Sequence, residues 1–221
     1  MQMEKSSEQE LIDKLQAEAN QLREENQKLK ASNRRWMRLA GIEDLTGLPN
    51  RIFFITVLLP QHLGLAYNDK QAFSCVMIAP DGLGEVNKRY GRKGGDQIIR
   101  GVADFLKEHL DAEEKLVHSD GSNFIVIIPG AEGGHAKRRA LLWRTRIAQR
   151  RFNCLNDQVG LTLSMGTVSV VPPLRKILSV KEAVESIVSR LETALDRAKQ
   201  QGGDRNVEDL NTDFPDPGAR R

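Results

Sequence analysis

Cysteine, aromatic residues and long apolar runs are all scarce in this sequence. Only two cysteines, Cys75 and Cys154, occur in 221 residues. That is too few for a fold built on disulfides, so we expect two reduced thiols buried in strands. No segment has the apolar length of a signal peptide or a membrane anchor. We therefore expect a cytoplasmic protein that does not contact a membrane.

A clear excess of one charge is also lacking. The chain carries 33 lysines and arginines against 30 acidic residues, for a formal net charge of +3. Because the two signs are interspersed, this balance does not predict nucleic-acid binding. We divide the chain into an N-terminal helix (1–40), a globular domain (41–208) and a tail (209–221). The tail has little to bury, and we expect it to be disordered.

Proline and glycine are missing from residues 7–40, where apolar residues recur every seven positions. Leucine occupies one core position of the heptad, and asparagine occurs twice at the other. A buried asparagine needs a partner asparagine in register, which favours a parallel two-stranded coiled coil. About four heptads are near the minimum for this prediction, so a single solvated helix is the alternative. The predicted homodimer interface consists of Ile12, Leu15, Leu22, Asn26, Leu29, Asn33 and Trp36.

Residues 41–208 alternate apolar, strand-like runs with helical periodicity. This alternation predicts an α/β or α+β domain in which helices pack on a central sheet. The candidate strands are Phe73–Ile78, Leu116–Val117, Phe124–Ile128 and Leu161–Val171. The candidate helices are Arg51–Tyr67, Gly95–His109, Ala136–Phe152 and Val180–Gln201.

Four motifs occur in a recognisable order: EDLTGLPNR (43–51), NKRYGRKGGDQIIRGVADFL (87–106), LTLSMGTVSV (161–170) and LETALDRAKQQGGDR (191–205). Together they resemble the GGDEF domains of bacterial diguanylate cyclases. The resemblance implies a nucleotidyl-cyclase-like central sheet flanked by helices and preceded by a coiled coil. It also implies a reaction between two GTP molecules, in which a 3′-hydroxyl of one attacks the α-phosphate of the other.

The hairpin that names the family reads SDGSNF here, at residues 119–124. The resemblance places Asp120 and Gly121 where the family has two glycines. It places Ser122 and Asn123 where the family has two acidic residues. Phosphoryl transfer of this kind depends on carboxylates that hold Mg²⁺. Serine and asparagine carry no charge and are poor ligands for that ion.

A second departure lies at the end of the first strand. Ala79 stands where the family has an aspartate that completes the metal site, and alanine cannot coordinate an ion. We therefore expect no catalytic residue, metal or cofactor, with Ala79, Ser122 and Asn123 as the degenerate positions. The alternative is a weak nucleotide hydrolase in which Asp81 and Asp120 recruit a metal at a shifted place. Asp81 is otherwise a turn or cap residue.

The positions that match the family's nucleotide contacts are kept in part. Asn87 and Asp96 match the pair that reads guanine, and Lys199 matches a lysine that approaches the phosphates. Each also has a structural explanation. Asn87 can serve a turn, Asp96 can be the N-cap of a helix from Gln97, and Lys199 suits a helix C-terminus. A guanine-nucleotide receptor is therefore a further alternative.

Two charged segments lie elsewhere in the domain. The family's inhibitory site for cyclic di-GMP matches Asp111–Glu114, whose acidic residues would repel a ligand with two phosphates, so we expect no binding there. Residues 135–152 carry seven lysines and arginines, and we expect an amphipathic helix there rather than a docking face. Its predicted core-facing residues are Leu141, Leu142, Ile147 and Phe152.

These observations lead to one expected function. The chain resembles a GGDEF protein that has lost its metal site but kept its packing framework and a dimerising helix. We expect a catalytically inactive, dimeric interaction and regulatory module in bacterial cyclic di-GMP signalling. The sequence does not identify its protein partner.

Overall fold

A computed structural model describes residues 14–16, 18–29, 32, 41–172 and 179–209 of the chain. Its contacts divide the chain into two units, residues 1–40 and 41–221, and each unit is described by itself. Within the described ranges, no helix combines the length and the apolar character needed to cross a membrane.

In the first unit, every described residue between 14 and 32 is helical and forms α1. Leu15, Leu22 and Leu29 are 55%, 58% and 64% exposed. The leucine stripe of the heptad therefore lies at the surface of the single chain, and the dimer stays a prediction. Asn26 is also exposed on α1. The other predicted interface residues, Ile12, Asn33 and Trp36, lie outside the described residues.

Helices α2 to α6 belong to the second unit. The first helical segment begins as α2 (Arg51–Phe53), continues through a π-helical stretch (Phe54–Leu58) and ends as α3 (Leu59–Asn68). This confirms the predicted helix from Arg51. Three further helices follow: α4 (Leu83–Glu108), α5 (Gly133–Gln149) and α6 (Val180–Gln200).

Five strands of the described part form a central sheet in the order β2-β3-β1-β6-β7. Neighbours among the first four run antiparallel, and β7 joins β6 in parallel. Four of the strands correspond to the four predicted ones. The strands are β1 (Phe73–Pro80), β2 (Lys115–His118), β3 (Phe124–Pro129), β6 (Leu163–Val170) and β7 (Arg205–Asp209).

The core lies on both faces of this sheet, because the two faces of β1 are covered by different helices. Val76 and Ile78 pack in a cluster with residues of α4 and α5. Cys75 and Met77 pack in a cluster with residues of α3 and α6. β1 is consequently buried along its whole length. Its sequence reads as a continuous apolar run for the same reason.

The edge strand β7 has no counterpart among the predicted strands. Its residues, Arg205–Asp209, include one apolar side chain, Val207, so the strand forms through pairing with β6 and not through an apolar pattern. Asp209 accepts a hydrogen bond from Arg190 of α6 at 2.8 Å. Asp209 therefore belongs to the sheet, not to the tail that we began at this residue. Residues 210–221 lie outside the described part.

Helix α4 is longer than predicted, and it is interrupted. It begins at Leu83 rather than at Gly95, and Gly91 breaks it with φ 67° and ψ −178°. Polar residues dominate the first half, which hides its periodicity in the sequence. Asp96 lies inside the second half of the helix, so its predicted role as an N-cap is wrong.

Helix α5 buries a different set of residues from the one predicted. Leu141 is 54% exposed, so its predicted place in the core is wrong, whereas Ile147 is buried as predicted. Leu142 is half-buried. Trp143 takes the core position instead, because residues 136, 140, 143 and 147 share one face of the helix. Phe152 is buried, but it lies in a short strand after the helix has ended.

A separate hairpin consists of β4 (Phe152–Cys154) and β5 (Asp157–Val159). It packs against α4 through Phe152 and Cys154, which both belong to the core on that side of the sheet. Cys154 and Cys75 are buried free thiols in strands. The prediction of two reduced core cysteines is therefore confirmed.

Candidate functional site

One end of the central sheet gathers the three positions that the resemblance assigns to the metal. Ile78 pairs with Phe124 across β1 and β3, so the residue after Ile78 and the residues before Phe124 lie at the same end of the sheet. Ala79 is buried there, and Ser122 and Asn123 are half-buried in the turn. The fold thus brings these three positions to one end of the sheet, and their place in a former metal site stays a prediction.

The same three side chains do not fit a Mg²⁺ ion. Mg²⁺ prefers oxygen ligands in near-ideal octahedral geometry and is usually held by carboxylates. Ala79 offers a methyl group, and Ser122 and Asn123 offer only neutral oxygens. Among the described residues, no group of three or more His, Cys, Asp or Glu side chains is placed to hold a metal ion.

The Asp81 carboxylate links the end of β1 by hydrogen bonds to the start of β6 and to the segment before β7. Its carboxylate accepts hydrogen bonds from the hydroxyls of Thr162 and Ser164 at 2.7 and 2.6 Å. It also accepts one from the backbone N–H of Asp204 at 3.1 Å. These contacts explain the Thr-x-Ser spacing, because alternate residues of a strand face the same side. Asp81 is a structural residue here.

Gly166 completes the same strand motif through its packing. A Cβ atom at this position would lie 2.4 Å from the backbone nitrogen of Leu195 and 2.7 Å from the backbone oxygen of Leu191. Both atoms belong to α6. Glycine therefore allows α6 to lie directly on β6, which holds the end of α6 beside the candidate site.

The turn carboxylate Asp120 is paired with a cation. Arg51 contacts Asp120 through one guanidinium nitrogen and Glu192 of α6 through another, each at 2.8 Å. Partial burial disfavours the charge, but the two carboxylates outweigh that effect and raise the pKa of Arg51. The sequence analysis missed this contact, although Arg51 lies in the EDLTGLPNR motif.

His118, at the end of β2, joins the hairpin to the loop that precedes α2. We call this loop, residues 41–50, the entry loop. Its Glu43 carboxylate accepts hydrogen bonds from the backbone N–H groups of Leu45 and Thr46 at 3.0 Å. The Nδ1 atom of His118 lies 2.6 Å from the same carboxylate. Burial alone would raise the pKa of Glu43, but these hydrogen bonds and the nearby imidazole lower it. The sequence analysis missed His118.

Asn87 and Asp96 are brought close together across the break in α4. A Cβ atom at Gly95 would lie only 1.9 Å from the Oδ1 atom of Asn87, so the Asn87 amide rests against the residue that precedes Asp96. Asn87 is exposed and Asp96 is half-buried. Both are thus accessible to a ligand, and their role in reading guanine stays a prediction.

Lys199 is the third residue that matches a nucleotide contact. It is exposed in the last turn of α6. In the described part of the chain, no hydrogen bond or ion pair joins it to Asn87 or Asp96. The helix C-terminus is a favourable place for its charge. The structure therefore agrees with the structural explanation for Lys199 and leaves its ligand role a prediction.

The acidic segment that matches the inhibitory site is not a set of free charges. Glu114 is buried, and its Oε1 atom accepts a hydrogen bond from Nε of Arg139 at 2.7 Å. Asp111 lies 3.6 Å from the same guanidinium. Our picture of three acidic side chains that jointly repel a ligand is therefore wrong for Glu114. Whether cyclic di-GMP binds at this position stays a prediction.

Comparison with known proteins bears directly on this arrangement. The family model "Diguanylate cyclase, GGDEF domain" matches residues 40–205. Diguanylate cyclase DgcP of Pseudomonas aeruginosa is 26% identical over 201 residues, which cover 90% of this chain and 29% of the relative. Diguanylate cyclase A of Treponema denticola is 25% identical over 177 residues, covering 79% of this chain and 46% of the relative. This chain thus spans less than half the length of these relatives.

Solved structures show the same fold. One is the structure of the coiled coil and GGDEF domain of DgcB from Caulobacter crescentus in complex with c-di-GMP. It has a TM-score of 0.67 and 22% sequence identity, and the match covers 88% of this chain and 99% of the DgcB chain. Diguanylate cyclase SiaD, in complex with its activator SiaC from Pseudomonas aeruginosa, has a TM-score of 0.68 and 20% identity, covering 94% of this chain and 80% of that chain. The match to the family model, the ordered motifs and the shared sheet lead to one conclusion: the chain belongs to the GGDEF domain family of diguanylate cyclases.

Proposed function

We propose that this chain is a degenerate, catalytically inactive GGDEF protein that acts as a dimeric regulatory module in a bacterial pathway related to cyclic di-GMP. The observation that carries the proposal is the set of side chains at Ala79, Ser122 and Asn123, which supply no carboxylate at the sheet end. Phosphoryl transfer needs metal ions to neutralise the triphosphate. A site without anionic ligands cannot retain those ions.

The alternative of a weak hydrolase with a shifted metal is disfavoured by the contacts of the two remaining carboxylates. Asp81 already accepts three hydrogen bonds, and Asp120 is paired with Arg51. A metal would have to displace these contacts. Hydrogen bonds to a carboxylate such as Asp81 stabilise the fold by about 1.5–3 kcal/mol each, and an exposed ion pair such as Arg51–Asp120 adds about 0–1 kcal/mol. Binding at such a place would be weak.

The regulatory role rests on the N-terminal helix. Leu15, Leu22 and Leu29 are spaced seven residues apart and lie exposed on α1. This is expected of a coiled-coil interface that is buried only when a second helix binds. DgcB and SiaD support the same idea, because their structures contain a coiled coil and a bound activator respectively. We infer a cytoplasmic homodimer that binds a further protein.

The test of inactivity is an assay for cyclic di-GMP and phosphate release with purified protein, GTP and Mg²⁺. DgcP of Pseudomonas aeruginosa serves as the positive control. We expect no product from this chain at enzyme concentrations that give complete conversion by DgcP. Product formation that disappears in a Lys199→Ala variant would contradict the proposal.

The test of dimerisation is sedimentation of the full chain. The double variant Leu15→Glu/Leu22→Glu places charges in the predicted seam and should give a monomer. The matched variant Asn20→Glu/Gln27→Glu adds the same charge at outward heptad positions and should leave the dimer intact. A dimer that survives the leucine substitutions would show that α1 serves another purpose.

A guanine-nucleotide receptor is the second candidate, and the close approach of Asn87 to Gly95 favours it. The glycine leaves room for the amide beside Asp96, as a base-reading pair requires. Titration with a fluorescent GTP analogue should then show saturable binding that Mg²⁺ does not change. Asn87→Ala and Asp96→Ala should each weaken it, and Asn68→Ala, at an exposed asparagine of α3, should not. Equal binding by all the variants would exclude this candidate.

A further inference from the structure

The contacts of His118 differ from those of an ordinary buried histidine. The residue is 2% exposed and stacks on Phe124 with 4.8 Å between ring centroids. Its Nδ1 atom lies 2.6 Å from the Glu43 carboxylate. Its Nε2 atom lies 2.9 Å from the carbonyl oxygen of Gly121, in the hairpin turn. Both ring nitrogens therefore face oxygen atoms.

Both of these oxygen atoms act as acceptors. The carbonyl oxygen of Gly121 can only accept a hydrogen bond. The Glu43 carboxylate receives donors from the backbone N–H groups of Leu45 and Thr46 and from the Thr46 hydroxyl, which favour its ionised, acceptor form. Two acceptors need two N–H donors, and an imidazole ring supplies two only when it carries a proton on each nitrogen. The Thr46 hydroxyl also lies 3.1 Å from Nδ1, but its single proton is directed to the Glu43 carboxylate at 2.9 Å. This arrangement favours a ring with an N–H donor on each nitrogen.

Neutral His118 cannot keep both contacts. If the proton left Nδ1, a nitrogen lone pair would face a carboxylate. If it left Nε2, a lone pair would face the Gly121 carbonyl at 2.9 Å, and the bond that holds the turn would become a repulsive contact. The carboxylate is the stronger acceptor, so the proton is lost from the side of the turn. Loss of the proton thus releases Gly121.

The charges around His118 come from five elements. Glu43 faces the ring from the entry loop. Asp120 lies in the turn, where Arg51 of α2 holds it and in turn contacts Glu192 of α6. Two cations of α4 also reach the entry loop. Arg100 donates to the backbone carbonyl of Leu45, and Lys107 donates to that of Thr46. β3 contributes only the neutral ring of Phe124. Among the residues that the structure describes, Glu43 is therefore the one anion in contact with the ring.

We propose that His118 is a proton-binding site that fastens the hairpin turn to the entry loop and releases the turn when the proton is lost. The backbone N–H of His118 also donates to the carbonyl of Pro49 at 2.9 Å. His118 therefore connects the hairpin turn to the entry loop through both its side chain and its backbone. Histidine is the side chain suited to such a switch near neutral pH. The switch stands whether or not the chain turns over GTP.

The test is nuclear magnetic resonance of the full chain with ¹⁵N labelling, between pH 5.5 and 9. Imidazole ¹⁵N shifts report which nitrogen carries a proton, and backbone amide shifts of Gly121 and Asn123 report the turn. We expect two N–H groups on His118 at low pH. We also expect the turn amides to move with the same midpoint as the loss of the Nε2 proton. A ring with one proton at pH 6, or turn amides that stay fixed while the ring titrates, would overturn the proposal.

Two variants separate the switch from general pH effects. His118→Arg keeps a cation with several donors that does not titrate in this range, so the response of the turn should disappear. His135→Arg changes an exposed histidine of α5 and should leave the response intact. Glu43→Gln removes the anion that faces Nδ1 and should change the midpoint of the response. A wild-type response in either His118→Arg or Glu43→Gln would refute the assignment, and loss of the response in His135→Arg would do the same.

Discussion

The buried pair between Arg139 and Glu114 gives the sharpest stability prediction. Their side chains are only 10% and 2% exposed. Nε of Arg139 donates to Glu114 at 2.7 Å, and a terminal nitrogen donates to the carbonyl of His109 at 2.7 Å. Replacing Glu114 by glutamine keeps the shape of the side chain but leaves a buried guanidinium without its main counter-charge.

The magnitude follows from that burial. Removing one partner of a buried ion pair costs about 3–5 kcal/mol, because the other charge stays desolvated. Asp111 lies 3.6 Å from Arg139 and compensates in part, so we expect the lower end, about 3 kcal/mol. For a domain of this size, that loss lowers the Tm by about 6–12 °C. The double variant Glu114→Leu/Arg139→Met removes both charges and should fall within about 1 kcal/mol of the wild type.

The assay is equilibrium unfolding in urea, followed by circular dichroism, for Glu114→Gln, for the single variants Glu114→Leu and Arg139→Met, and for the double variant. The matched control is Arg150→Met, which breaks an exposed pair with Glu108 and should cost at most about 1 kcal/mol. This prediction is contradicted if Glu114→Gln lowers the free energy of unfolding by less than the exposed control does. It is also refuted if the double variant costs the sum of the two single variants, since independent losses would mean that the charges are not coupled.

Three further predictions concern pH, packing and reactivity. The pKa of Glu43 is lowered because hydrogen bonds and the nearby imidazole outweigh its burial. The ionised carboxylate therefore stabilises the fold at pH values above its unfolded pKa. This stabilisation is lost as the pH falls through the lower pKa of the folded state. Glu43→Gln should cost about 1 kcal/mol at pH 7, and its unfolding free energy should converge with that of the wild type in acid; a constant difference down to pH 2.5 would contradict this. Gly166→Ala puts a Cβ atom 2.4 Å from the backbone of Leu195. This substitution should lower the free energy of unfolding in urea by about 1–3 kcal/mol. An unchanged urea midpoint would be inconsistent with direct packing of α6 on β6. Burial raises the pKa of the Cys75 thiol, so a thiol reagent should react with it only at the rate of unfolding, and rapid labelling of the native protein would show that the core is open.

Local patterns in the sequence were enough to predict most of the fold. The apolar run of Phe73–Ile78 indicates a strand because both faces of β1 are covered, and the helix from Val180 begins where Ser179 and Glu182 form a capping box. Ala79, Ser122 and Asn123 could be placed at one site because the order of the motifs resembles that of a known family. The strand and the helix depend on residues close to one another in the chain, so a local pattern is sufficient to find them. The shared site of Ala79, Ser122 and Asn123 joins distant positions, and only the family resemblance brought them together before the structure did.

Other features depend on pairs of residues far apart in the chain, and only the tertiary structure decides them. β7 forms because β6 offers an edge with unpaired hydrogen-bonding groups, not because its own side chains are apolar. Leu141 is exposed and Trp143 is buried, because the face of α5 that packs on the sheet is decided by the tertiary structure. The pairs Arg51–Asp120 and Glu43–His118 join residues 69 and 75 positions apart. Whether a charged side chain can bind a ligand or instead stabilises the fold depends on its neighbours in the tertiary structure. No periodicity in the sequence identifies those neighbours.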